Sequence, residues 1–322
     1  MTRKLFYADH CPIPLPPKHK FPIDKYRILR EMLTHDGYFQ LEPAPFAQRS
    51  DVELIHQAEY VEAFLTGTLG EAAIRKIGFP WSEMLVKRTM ASAGGTLAAT
   101  DQALATGWGG TLAGGTHHAF AGEGSGFCVF NDIAIAIAKL HGSGRVRRAA
   151  VVDLDVHQGD GTAHIFRNHR EVLTLSVHCR NNFPLRKQQS TIDVELDAQV
   201  GDEVYLEVLR DVLPRVQAFE PEIIFYQSGV DGLESDVLGK LSLSLEGLQT
   251  RDRLVMELAR GLGAPLVVTM GGGYSSPIEL TAQAHANTFR QAKEVFSGQA
   301  WPLVSRADRN GGNDYSADSL VG

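Results

Sequence analysis

Along most of this chain, short apolar runs alternate with longer segments in which apolar positions recur at helical spacing. "MTRKLFYADH" predicts a first strand, and after the loop "HCPIPLPPKHKFP" the segment "DKYRILREML" predicts a helix. "SDVELIHQAEYVEAFLTG" opens with Ser50 and Glu53 at the spacing of a capping box and continues as short helices. "SEMLVKRTMASAGGTLAATDQALATG" predicts one long helix rich in small residues. Strands and helices then take turns. "GGTLAGG", "RRAAVVDLDV", "EVLTLSVH", "PEIIFYQSGV" and "APLVVTMGGG" read as strands. "NDIAIAIAKLHG", "GTAHIFRNH", "DEVYLEVLRDVLPRVQAF", "LEGLQTRDRLVMELARGLG" and "SPIELTAQAHANTFRQAKEVF" read as the helices between and after them.

Such alternation builds an open, mostly parallel sheet with helices on both faces, a three-layer α/β fold. No linker-like shift in composition and no internal repeat interrupts it, so residues 1–305 are expected to form a single domain. Residues 306–322 are polar and Gly-rich and are expected to be a disordered tail.

Composition narrows the function. With 322 residues the chain can bury a large core, and 43% hydrophobic with 21% charged residues is ordinary for a globular protein. A formal charge of -7 without a basic stripe argues against nucleic-acid binding. The 3 cysteines, Cys11, Cys128 and Cys179, are too few and too scattered for a disulfide framework or a cysteine-rich zinc site, and they fit a reducing compartment. No signal peptide and no apolar span of membrane length is present, so the expected location is cytoplasmic.

In open α/β folds the loops at the C-terminal ends of the strands build the site. Four polar clusters fall at such ends: "GGTHHAF", "DLDVHQGDG", "SGVDG" and "MGGGY". Within "VVDLDVHQGDG", Asp153, Asp155 and His157 alternate and so share one side of the predicted strand, and Asp160 follows with no basic residue between. Carboxylates crowded at the end of an apolar run repel one another and resist desolvation. A divalent metal resolves the conflict. Asp155 and His157 can ligate it from one strand end and Asp231 from another, leaving a coordination position for water or substrate. Taken alone, Asp155 with His157 also fits a solvated strand end or a Mg²⁺ site for phosphate chemistry, and Asp231 fits a turn before Gly232. Ligands of this type suit Zn²⁺ and Fe²⁺ alike.

His117 and His118 are adjacent, and each imidazole needs an acceptor to fix its tautomer. With Asp155 on the metal, Asp153 and Asp160 remain for that task. Two His–Asp dyads result, one a general base and the other electrostatic or a proton donor to the leaving group. Tyr274, after a Gly-rich turn, is placed to donate a hydrogen bond to an oxyanion, or else simply packs over that turn. "GGGYSS" does not follow the dinucleotide-binding glycine pattern. Phe127 and Phe183 can wall a narrow apolar channel or belong to the core.

Taken together, "GGTHHAF", "GFCVFND", "VVDLDVHQGDG", "SGVDGLESDVLG" and "MGGGY", in that order, resemble the zinc-dependent histone deacetylase family, which has an arginase-like fold. The likeness runs from "FYADH" to "AHANTF", and "HKFPIDKYRIL" and the Gln of "DVHQG" look most like the class IV branch and its bacterial relatives. By position, the resemblance implies zinc on Asp155, His157 and Asp231. It implies His118 with Asp160 as general base, His117 with Asp153 for electrostatics and leaving-group protonation, and Tyr274 as oxyanion stabiliser. Phe127, Phe183 and Gly126 would line a tunnel for the stem of an acyl-lysine, and a structural K⁺ or Na⁺ would sit near Asp153, Asp155, His157 and Ser176. Two departures stand out. "LRKQQSTIDVELD" replaces the family's Gly-rich stretch beyond "NNFP", and Leu238 stands where a polyamine-selective branch carries an acidic gatekeeper. The expected activity is therefore hydrolysis of N-acyl-lysine in proteins or peptides, with long fatty acyl groups within the expected range. An acetylpolyamine amidohydrolase, a non-catalytic acyl-lysine-binding module and a two-metal manganese ureohydrolase are the alternatives, in falling order.

Overall fold

The computed structural model describes residues 3–297. Eight strands form one sheet: β1 (Arg3–Tyr7), β2 (Phe39–Pro43), β3 (Trp108–Leu112), β4 (Ala149–Asp153), β5 (Val172–Cys179), β6 (Ile192–Leu196), β7 (Ile223–Gln227) and β8 (Leu266–Thr269). Their order is β2-β1-β3-β8-β7-β4-β5-β6, and every ladder is parallel. The helices are α1 (Asp24–Asp36), α2 (Arg49–Val52), α3 (Ala58–Thr66), α4 (Glu71–Ile77), α5 (Glu83–Thr106), α6 (Asp132–Gly142), α7 (Asp160–Phe166), α8 (Asp202–Phe219), α9 (Leu245–Leu262) and α10 (Ile278–Val295). The segment 306–322 and the boundary at 305 lie outside the described residues.

Strand side chains point alternately to the two faces, and the core divides accordingly. Ala150 and Val152 of β4, Ile224 and Tyr226 of β7, and Leu266 and Val268 of β8 pack with residues of α1, α8, α9 and α10. Ala149, Val151, Ile223, Phe225 and Val267 pack with residues of α5 and α6. Full burial of each Val, Leu or Ile contributes about 1.5–3 kcal/mol, so these central strands anchor the three layers.

Local structure departs from the sequence reading at several points. The strand at Asp153 stops there instead of running on to His157. Beyond it the backbone N–H groups of Asp155, Val156 and His157 donate to the carboxylates of Asp153, Asp231 and Asp155 at 2.8–3.1 Å. Aspartate acceptors thus replace the ladder, as short acidic side chains do in turns. Ser50 and Glu53 form no capping box, because Gln48 is the N-cap and Glu53 instead pairs with Arg49 at 2.6 Å. β2, β6 and α4 have no counterpart in the sequence reading. β2 and β6 are the edge strands, and the exposed polar positions of β6 mask its pattern.

Candidate active site

The five contiguous strands β3, β8, β7, β4 and β5 deliver their C-terminal loops to one cavity of about 330 Å³. Its walls include His117, His118, Gly126, Phe127, Asp155, His157, Phe183, Asp231, Leu238 and Tyr274. Asp153 and Asp160 stand behind the two histidines. The structure brings together every site residue that the sequence reading singled out.

The loop after β3 is held by residues of "FND". The buried Asp132 carboxylate accepts from Gly115 N at 3.0 Å, Thr116 N at 2.8 Å and the Thr116 hydroxyl at 2.6 Å. Asn131 caps α6 through Ala134 N and donates to Ala119 O at 3.3 Å. His117 and His118 are thereby fixed with ring centroids 4.0 Å apart. His117 Nδ1 lies 2.7 Å from Asp153 Oδ2, and His118 Nδ1 lies 2.7 Å from Asp160 Oδ1. Each carboxylate accepts from Nδ1–H, so Nε2 faces the cavity as an acceptor when the ring is neutral and as a donor when it is cationic.

The two imidazoles differ in charge preference. Burial disfavours protonation of His117, but Asp153 and Asp155 outweigh it and lift its pKa to about 9. His118 is depressed to about 4 by burial and by the charge on His117.

Asp155, His157 and Asp231 offer donor atoms within 4.8 Å of one another, and all three residues are buried. His157 Nδ1 is 3.1 Å from both Asp155 Oδ1 and Asp231 Oδ2. One proton on that nitrogen serves two buried anions poorly. Burial and the charge of Asp155 raise Asp231 to about 7, while the two carboxylates overcome burial and lift His157 to about 10. A divalent cation meets all three groups at once, so the donor set fits a metal.

The remaining wall is aromatic. Phe183 stands edge-on to His118 at 4.8 Å between ring centroids, and Phe127 lies 6.3 Å from Tyr274. Gly126 has φ +54, and a Cβ there would meet His118 Cδ2 at 2.8 Å and Phe183 Cε1 at 3.0 Å. Only glycine suits that backbone and that gap. Tyr274 is set by Asp236, whose carboxylate accepts from Tyr274 N at 2.6 Å, Leu238 N at 2.9 Å and Gly239 N at 2.8 Å. Burial and the charges of Asp231 and Asp155 raise the Tyr274 phenol well above its ordinary range, so it stays a donor. Gln158 ties the rim segment to the site, donating to Gln188 O at 2.7 Å and Asp193 Oδ1 at 2.8 Å.

Sequence reasoning missed Phe21 and Tyr26, which line the cavity, and the braces Asp132 and Asp236. Asp132 and Asp236 lie within the motifs "GFCVFND" and "SGVDGLESDVLG", and that position is the signal the sequence offers for them.

The sheet, the cavity and its cluster of candidate ligands define an open α/β architecture with its site at the C-terminal ends of the strands. The histone deacetylase domain model matches residues 19–291, and the chain belongs to the histone deacetylase family. An uncharacterized protein of Picosynechococcus sp. is 42% identical over 91% of this chain and 98% of its own length. Histone deacetylase 2 of Arabidopsis thaliana is 30% identical over 85% of this chain and 74% of its own. The histone deacetylase-like amidohydrolase of Pseudomonas aeruginosa is 32% identical over 77% of this chain and 70% of its own. The crystal structure of the HDA15 HD domain covers 91% of this chain and 88% of its own with a TM-score of 0.75 at 21% identity, which establishes the shared arginase-like fold. The protein is thus a hydrolase of that family, and no helix among the described residues is long and apolar enough to cross a membrane.

Proposed function

We propose that the protein is a zinc-dependent deacylase that hydrolyses the amide of N-acyl-lysine. The observation that carries this reading is the meeting of a two-carboxylate, one-imidazole donor set with two His–Asp pairs and a buried phenol at one cavity. Asp155, His157 and Asp231 would hold the metal, which supplies Lewis acidity and lowers the pKa of water. His118, neutral because its pKa lies near 4, takes the proton of the attacking water at Nε2, and Asp160 holds its Nδ1–H. His117, kept cationic by Asp153, stabilises the negative charge that develops and favours protonation of the departing amine. Tyr274 donates its O–H to the carbonyl oxygen as that oxygen gains charge. The C–N bond breaks, lysine leaves as the amine, and the acyl group leaves as a carboxylate.

Phe127, Phe183 and Gly126 would flank the aliphatic stem of the lysine, and Leu238 gives the rim no charge for a cationic polyamine. A second cavity of about 60 Å³ shares Phe21, Tyr26, Gly114, Thr116 and Phe127 with the first, which favours room for acyl groups longer than acetyl. The reading also places a structural K⁺ or Na⁺ near Asp153 and Ser176, which are paired across β4 and β5. The experiment is a panel of lysine peptides from acetyl to long-chain acyl, run beside acetylated polyamines on protein of measured metal content. Turnover of lysine peptides is expected. A large preference for polyamines, or no turnover with zinc bound, overturns the substrate class.

A further inference from the structure

We propose that Arg251 is a positioning residue that fixes the spacing between the two metal-bearing loops from beneath. This inference rests on the assignment of Asp155, His157 and Asp231 as the metal ligands. Arg251 sits on α9 and is fully buried. Its Nη1 donates to Leu154 O at 3.2 Å and to Gly229 O at 2.6 Å, and its Nη2 donates to Ser228 O at 3.5 Å. Leu154 immediately precedes Asp155, and Gly229 stands two residues before Asp231. One guanidinium therefore grips both loops at their roots.

The other side of the fork is anchored. Arg251 Nε and Nη2 donate to Asp252 Oδ1 at 3.0 and 2.8 Å, and Asp252 also accepts from the hydroxyls of Tyr226 and Thr288. All five N–H groups of the guanidinium are engaged, in a planar arrangement that an ammonium with three donors cannot copy. The loops gain a spacing that does not depend on the metal. Asp155 and Asp231 are otherwise two buried anions that repel; the β4–β7 ladder ends with Leu154 N donating to Gln227 O at 3.1 Å, and past that point the clamp ties the carbonyls of Leu154 and Gly229 to one core side chain. The ligands themselves are braced above, where Gly272 N donates to Asp155 Oδ2 at 2.7 Å and Val156 N donates to Asp231 Oδ1 at 2.8 Å. Arg251 adds a side-chain tie to both roots from the core side, beyond the end of the β4–β7 ladder.

The test compares metal-free and metal-loaded protein of wild type, Arg251→Lys and Arg290→Lys. Arg290 makes a two-point pair with Asp36 at 2.7 and 3.0 Å between α10 and α1, so its replacement controls for the loss of a fork elsewhere. Zn²⁺ affinity is read by competition with a chromophoric chelator, and ligand geometry by the visible spectrum of the Co²⁺ form. Arg251→Lys is expected to weaken Zn²⁺ binding by ~10–100-fold, the usual range for a residue that orients ligands, and to alter the Co²⁺ spectrum. Arg290→Lys is expected to change neither. Equal affinity and an unchanged spectrum in Arg251→Lys overturn the proposal, as does an equal loss in both variants. Wild type that binds no metal overturns the ligand assignment itself. Should Arg251→Lys fail to fold, hydrogen exchange in metal-free wild type decides. The amides of Leu154, Val156 and Val230 are expected to stay protected, and their loss of protection on metal removal shows that the metal, not Arg251, holds the loops.

Discussion

Gly272→Ala tests the metal-site reading with a single methyl group. Gly272 lies between the two carboxylates, and its backbone φ is one that any residue adopts, so the substitution adds bulk without backbone strain. A Cβ built there falls 1.9 Å from Asp231 Oδ2 and 2.8 Å from Asp155 Oδ2. Real carbon contacts do not come inside about 3 Å, so Asp231 must retreat by roughly 1 Å or the loop must lift by as much. Metal sites tolerate only ~0.2 Å in ligand distance. The loop cannot yield freely, because Gly272 N donates to Asp155 Oδ2 at 2.7 Å and Val230 N donates to Gly272 O at 3.0 Å. A displacement of that size in catalytic geometry costs ~10²-fold in rate, and a loss at least as large in metal affinity is expected. Gly261→Ala is the control, since a Cβ there meets nothing within 4 Å and the site is helical. The assay is chelator competition for Zn²⁺ together with deacylation rates and thermal melting. Full metal affinity and full turnover in Gly272→Ala would refute the placement of a metal between Asp155 and Asp231.

Three further outcomes are expected. Tyr274→Phe keeps the ring that packs near Phe127 but removes the donor, so turnover should fall by ~10²-fold or more with metal content unchanged; undiminished turnover excludes the phenol from the mechanism. Asp236→Asn weakens the acceptor that holds Tyr274 N, Leu238 N and Gly239 N, and should lower kcat while Zn²⁺ affinity stays at the wild-type level, measured side by side. In metal-free protein, His117 and His157 have folded pKa values near 9 and 10 against an ordinary 6.5, and Asp231 has one near 7 against 3.8. Each raised group stabilises the fold below its unfolded pKa, and that contribution is lost as pH climbs to the folded one; the buried His56, His118 and His178, depressed to about 4, act in the opposite sense only up to their unfolded value, so the metal-free melting temperature should fall between pH 7 and 9. Bound metal should flatten this slope, and calorimetry showing a flat or rising metal-free curve over that range contradicts it.

The central strands and the chemistry-bearing loops were legible because each carries a local signature. β4, β7 and β8 are uninterrupted apolar runs, as buried parallel strands require, and each ends in a polar cluster. The braces were not legible for the opposite reason. Arg251 and Asp236 act mainly on backbone groups, and a backbone carbonyl or N–H leaves no mark in a sequence. β6 hid for a third reason. As an edge strand it alternates buried and exposed positions over only five residues, and its polar half reads as loop. Alternation of Asp153, Asp155 and His157 does not mark a strand here, because Asp153 and Asp155 supply acceptors to the following N–H groups and end the ladder.

The neighbouring His–Asp pairs explain how one site can hold a neutral and a cationic imidazole together. Both imidazoles are buried, both donate Nδ1–H to a carboxylate at 2.7 Å, and their rings are 4.0 Å apart. Nearly identical local partners would ordinarily give nearly identical proton affinities. What separates them is the wider field. His117 has Asp155 within 3.9 Å as well as Asp153, whereas His118 faces the charge of His117 itself and, more weakly, that of His157. Once His117 is protonated, a second positive charge on His118 would place two cations at ring contact in a buried site, so the pair carries one positive charge at neutral pH. The order of occupancy follows from the acidic cluster on the β4 side, and a metal bound there draws the same carboxylates toward itself. The division between His117 and His118 is therefore a property of the whole constellation, and a change at Asp155 must reach both histidines although it directly approaches only one.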